Sequence, residues 1–147
     1  MTEILWIRSH VERLLQDQWD QCQVAVDDDG DYPFCHGTAA CWVRVMDSDP
    51  VMVRVFAHAA MGIRPSMKVL HELNEIQSRL LSATVALQGD LVVVHQTISP
   101  VGLTQPVLAQ ALHSVGGVAD DIGLLLASMF NGATPFPAED SESQDAA

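Results

Sequence analysis

The sequence predicts a single α+β domain with the element order α-β-β-β-α-β-β-α. In three separated stretches, apolar residues recur at helical spacing. Between them lie β-branched and aromatic runs joined by short turns rich in Asp, Gly and Pro, the pattern of hairpins. The composition, 48% hydrophobic and 18% charged over 147 residues, supplies a core for one domain and is far from that of chains too polar to fold.

The first helix is expected over residues 2–19, where Ile4, Ile7, Val11, Leu14 and Leu15 fall on one side. Thr2 can cap it, and Glu3 complements the positive end of its dipole. Cys22, Val24 and Val26 then alternate with Gln21, Gln23 and Ala25, which predicts a half-buried strand running into the turn Asp27-Asp28-Asp29-Gly30-Asp31. Residues 38–46 and 51–59 flank Asp47-Ser48-Asp49-Pro50 and read as a hairpin. Gly62 and Pro65 end the extended run, and Ser66 stands at an N-cap position ahead of Val69, Leu70, Leu73, Ile76, Leu80 and Leu81, a second helix.

Residues 83–87 and 91–98 make another hairpin, with Gly89-Asp90 as its tight-turn pair. That loop places Val85 and Leu87 on one face with Val92 and Val94, and the face should be buried. Thr104 can cap a long last helix with Pro106 in its first turn, followed by Leu108, Leu112, Val115, Ala119, Ile122, Leu126 and Met129. Gly116-Gly117 inside it costs about 1 kcal/mol per glycine relative to alanine, so it marks a kink or a close contact. Asn131-Gly132 can end the helix. The expected domain is therefore residues 1–132, and residues 133–147, with Glu139, Asp140, Glu142 and Asp145, are expected to form an acidic, disordered tail.

Several stretches resemble the YbjN-like family, whose fold is that of the type III secretion chaperones. Asp27-Asp28-Asp29-Gly30-Asp31-Tyr32 is similar to the family's acidic glycine turn, and Val53-Arg54-Val55-Phe56-Ala57 to its third strand. Leu73-Asn74-Glu75 late in a helix, then a short strand, a turn and a Val-rich strand, resembles its Leu-Asn-Glu motif and following hairpin; Gln77 stands where the family often has a second Asn. The likeness spans about residues 3 to 132. It implies a strongly twisted, antiparallel five-stranded sheet packed with helices, frequent homodimerisation, binding of peptide segments of client proteins, and no catalytic residue; a binding domain acting without cofactor is expected.

Charge narrows the partners. Seven Lys and Arg stand against 19 Asp and Glu, a formal net charge of -12, so a nucleic-acid backbone or an anionic lipid surface would be repelled. The longest stretch free of acids and bases, residues 91–119, is too interrupted by polar residues, Gly and Pro for a membrane helix. Met1-Thr2-Glu3-Ile4-Leu5-Trp6 has neither a basic start nor a cleavable apolar block, so a cytoplasmic protein is expected. Three cysteines without a CxxC pair point to reduced thiols.

Motifs for catalysis or metal binding fail at identifiable positions. With Gly30 as the obligatory glycine of a calcium loop, Ala25 would be the first ligand and His36 the last, so a solvated turn is expected. Cys22, Cys35, His36 and Cys41 match no zinc spacing, and Cys22 and Cys41 fall where strands should face the core. His71 and Glu75 share a helix face, but Glu75 occupies the place of the second histidine of HExxH, leaving an exposed pair. No lysine adjoins Gly116-Gly117, and no serine has a nucleophile elbow.

Strand alternation puts Ala39, Cys41, Val43, Val45, Val51, Val53, Val55 and Ala57 on one face of the central hairpin, an ordinary core. Trp42, Arg44, Met46, Met52, Arg54, Phe56 and His58 fall on the other, a mixture of types enriched at recognition surfaces and the candidate site for a client protein or peptide. The competing expectation is that a helix covers this second face and the arginines reach around it to solvent. A small-molecule sensor, requiring an enclosed pocket, and an unrecognised enzyme, requiring converging titratable groups, are the rival functions.

Overall fold

The structure, a computed structural model, describes residues 2–138. Its elements are α1 (Thr2–Trp19), β1 (Tyr32–His36), β2 (Ala39–Met46), β3 (Met52–Ala60), α2 (Met67–Gln77), β4 (Thr84–Gln88), β5 (Leu91–Ile98) and α3 (Gln105–Phe130). The strands form one antiparallel sheet in the order β1-β2-β3-β5-β4, so the fold is α+β with the predicted order of elements.

Short local signals place most of it. The Ser66 hydroxyl accepts the Val69 N–H at 3.1 Å and starts α2, burying Val69, Leu73 and Ile76. The helix stops at Gln77, so Leu80 is half-buried and Leu81 fully exposed, short of the expected helical run. Gly89, at φ +64°, turns β4 into β5 in the predicted register, with Val85 opposite Val94 and Leu87 opposite Val92. Asn131 adopts the left-handed conformation at φ +58° and ends α3.

The expected strand at residues 22–26 does not form. Cys22 and Val26 are exposed, which also removes Cys22 from the core, and the first strand instead follows the acidic turn. The turn explains the displacement. The Asp27 carboxylate accepts the Asp29 and Asp31 N–H groups at 3.0 and 2.9 Å, while the Asp27 N–H donates to the Asp31 carbonyl at 2.9 Å. This closed loop delivers Tyr32 into the core, where its hydroxyl donates to Glu12 at 2.8 Å. Burial pushes that hydroxyl's pKa far up, and the Glu12 hydrogen bond adds to it. Pro33, which lacks an N–H, is accommodated because β1 is an edge strand.

Helix α3 crosses the sheet face bearing Val43, Val55 and Val94, α1 packs on α3 and β2, and α2 lies beside β4. Two glycines let α3 approach. A Cβ on Gly116 would come within 2.8 Å of the His36 side chain, and one on Gly123 would strike the Ala59 carbonyl oxygen. Gly116 therefore marks a close contact, whereas Gly117 faces open space. Beside the free edge of β4, the Gln77 amide accepts the Val85 N–H at 2.7 Å and donates to the Ala83 carbonyl at 3.3 Å.

After α3 the chain crosses the end of the sheet. Met61 and Ala133 form an antiparallel bridge with hydrogen bonds of 2.7 and 2.9 Å, and the Phe136 N–H donates to the Thr38 carbonyl at 3.1 Å. Residues 133–136 are thus tied to the domain. Glu139, Asp140, Glu142 and Asp145 lie outside the described residues.

Candidate recognition face

The two faces of the central hairpin differ as alternation requires. Ala39, Cys41, Val43, Val45, Val51, Val53, Val55 and Ala57 are all buried. Burial pushes the Cys41 thiol up to about 12, an inert core sulfhydryl. On the other face Arg44 is exposed, and Trp42, Met46, Met52, Arg54, Phe56 and His58 are half-buried. Among the described residues no helix covers this second face, so the expectation of a helical cover is overturned.

Register assembles the seven residues. Trp42 pairs with Phe56, Arg44 with Arg54 and Met46 with Met52, while His58 stands opposite Ala40. The Trp42 ring stacks on Phe56 at 5.3 Å between centroids and meets His58 at 4.5 Å. The Arg44 guanidinium lies 4.8 Å from the Phe56 centroid, a cation–π contact.

The two arginines are not equivalent. Arg44 grips Asp31 with two charge-assisted hydrogen bonds, 2.9 Å through Nε and 2.7 Å through Nη2; the Asp31 side chain is 5% exposed and that of Arg44 46%. The Asp31 hydrogen bonds raise the arginine's pKa further. Arg54 donates from Nε to the Thr97 hydroxyl at 3.0 Å and, among the described residues, forms no ion pair.

Strand β5 completes the site with residues that the sequence reading omitted. Phe56 stands opposite His95, His58 opposite Val93 and Arg54 opposite Thr97. Arg44, Arg54, Phe56, His58, Gln88, Val93 and His95 line a basin of about 240 Å³ that is open to solvent. Burial lowers the pKa of both histidines, and the Arg54 charge lowers His95 further. Period-two alternation in residues 91–98 could have exposed Val93, His95 and Thr97 as one face, but only the partner strand shows that this face joins Arg54 and Phe56.

The other candidates do not converge. Cys35 is exposed and Cys41 buried, and among the described residues only Asp27, Asp29 and Asp31 bring three ligand-type atoms within 4.8 Å of one another. Asp27 Oδ1 is committed to the turn amides and both Asp31 oxygens to Arg44, while the Asp29 side chain is exposed, so the cluster reads as a turn. His71 and Glu75 are both exposed, with no hydrogen bond or ion pair between them among the described residues. No described helix is long and apolar enough to cross a membrane.

Comparison with known proteins agrees with this architecture. A family model described as T3SS (YopN, CesT) and YbjN peptide-binding chaperone 1 matches residues 6–138. A chain of the HopA1–SchA chaperone–effector complex superposes with a TM-score of 0.64 at 13% identity, covering 82% of this chain and 95% of that one. A chain of the ExsC–ExsE complex gives a TM-score of 0.62 at 14% identity, covering 80% of this chain and 94% of that one. No curated protein matches the sequence.

Proposed function

Because the chain belongs to the T3SS and YbjN peptide-binding chaperone family, we propose that it binds an apolar, acid-bearing segment of a client protein on the open sheet face. The single observation that carries this reading is the half-exposed aromatic platform of Trp42 and Phe56 beside Arg54, which forms no ion pair among the described residues. Stacked aromatics and the Met46–Met52 pair adapt to varied apolar side chains. Arg54 supplies a bidentate anchor for a carboxylate, which a protein of net charge -12 offers at few places. The site needs no cofactor, and binding rather than catalysis is its chemistry.

Homodimerisation is the second part of the reading. Met67, Leu70 and Leu81 are exposed on and just after α2, and a second copy would bury them. Sedimentation equilibrium should return twice 16.0 kDa at micromolar concentration; an unchanged monomer mass would remove the dimer. The protein is proposed to act in the cytoplasm.

The test of client binding uses a fluorescent peptide library that combines apolar and acidic residues. Peptides selected by the intact chain should lose at least tenfold in affinity with Arg54→Gln or Trp42→Ala, while circular dichroism and melting of the variants stay near those of the parent. Equal binding by both variants would move the recognition surface elsewhere.

A further inference from the structure

We propose that the acidic segment of residues 139–147 docks back onto the open sheet face of its own chain, placing carboxylates over Arg54 and the adjacent His95 and His58. This deepens the client-binding reading: the segment becomes a tethered competitor for the same basin.

Direction comes first. The Met61–Ala133 bridge is antiparallel, so the chain leaves it heading away from Arg64 and Lys68 and toward Thr38, where the Phe136 N–H is held. Thr38 precedes β2, whose Ala40 lies opposite His58 and whose Arg44 lies opposite Arg54. The basin therefore begins about two residues beyond the last tether and has its arginines six residues beyond it.

Reach follows. From Thr38 to Arg44 along a strand is on the order of 20 Å at about 3.3 Å per residue. An extended chain leaving Phe136 covers the same span by Glu142. On the same count Glu139 and Asp140 reach the level of Cys41 and Trp42, one and two residues past the Ala40–His58 pair, and Asp145 retains slack.

Charge selects the landing place. The segment Glu139-Asp140-Ser141-Glu142-Ser143-Gln144-Asp145 has four acids and no base, on a chain of net charge -12 that repels it over most of its surface. Arg44 is already neutralised by Asp31, which leaves Arg54 as the cation on this face, with His58 and His95 beside it able to take up a proton. Tethering gives even a weak contact a millimolar effective concentration.

Histidine titration followed by NMR reads the docking without any client. The intact chain is compared with a full-length variant carrying Glu139→Gln, Asp140→Asn, Glu142→Gln and Asp145→Asn. At low salt the His58 and His95 midpoints should lie higher in the parent by at least about 0.3 pH unit, because nearby carboxylates favour the imidazolium. The difference should vanish in 0.5 M NaCl and persist on tenfold dilution. Midpoints unaffected by the four neutralisations overturn the docking. A difference that disappears on dilution also overturns it, since the segment would then belong to another copy. Selected peptides that still depend on Arg54 in either case leave the client-binding reading standing, so the two can fail separately.

Discussion

Two faces of one sheet, built from alternate residues of the same strands, meet different fates. Val43, Val53, Val55 and Ala57 disappear beneath α3, whereas their immediate neighbours Trp42, Arg54, Phe56 and His58 stay half-exposed. The buried face consists of valines with a few smaller residues, which fill space next to a helix carrying glycines at its closest approaches. The open face mixes aromatics and methionines with two arginines and a histidine, polar groups that an interior holds only when they are paired. The difference teaches that the open face is not surplus hydrophobic surface. It also carries an internal division, since Arg44 is paired with Asp31 while Arg54, among the described residues, has no ion-pair partner.

The most severe test of that contrast is a pair of neighbouring substitutions. Val55→Asp buries an unpaired carboxylate and should cost more than about 4 kcal/mol, preventing folding or leaving an unmeasurably low melt. Phe56→Asp, one residue along but on the open face, should leave a folded protein by circular dichroism. Similar collapse of both would mean that the second face is also interior.

Gly123→Ala comes next. Its Cβ would meet the Ala59 carbonyl, and the backbone on both sides resists movement, so a loss of about 2–3 kcal/mol is expected in urea melts. Gly117→Ala, facing open space, should be neutral or stabilising by up to about 1 kcal/mol.

The arginine division predicts an asymmetry. Arg44→Ala strands the Asp31 carboxylate in a nearly dry site and should cost about 2–3 kcal/mol, whereas Asp31→Asn leaves a half-exposed guanidinium free to reach water and should cost about 1 kcal/mol. Arg54→Gln should change stability by less than about 0.5 kcal/mol. Equal losses for Arg44→Ala and Arg54→Gln would erase the distinction drawn between them.

The smallest effect is pH-dependent. His58 and His95 titrate below the ordinary 6.5 in the folded chain, so the unfolded chain binds more protons as pH falls through that value. Their contribution is complete above about 6.5 and is lost as pH falls toward the lowered folded values. In 0.5 M salt, where the acidic segment is screened, His58→Gln with His95→Gln should flatten the decline in stability between pH 7 and pH 5 by less than about 1 kcal/mol. An unchanged slope would show that neither ring is desolvated.

The helices and the β4–β5 hairpin could be read locally because Ser66, Gly89 and Asn131 each act within a few residues. The misplaced first strand shows where such reading stops. Cys22, Val24 and Val26 alternate as well as any strand, yet pairing with β2 was won by Tyr32–His36 once the Asp27 carboxylate closed the intervening turn. For the open face, alternation within β2 and β3 located all seven residues. It could not show that Asp31 claims Arg44, or that β5 brings His95 against Phe56, because both depend on which strands become neighbours.

The Gln77 amide acts as a strand one residue long. By taking the Val85 N–H and the Ala83 carbonyl, it occupies the outer rim of β4 at the place where a foreign backbone would begin to zip on. Growth of the sheet by stacking further chains on that rim must first evict a side chain already meeting both groups. Colloidal safety is thereby built into the end of α2, through the backbone of two core residues, Ala83 and Val85.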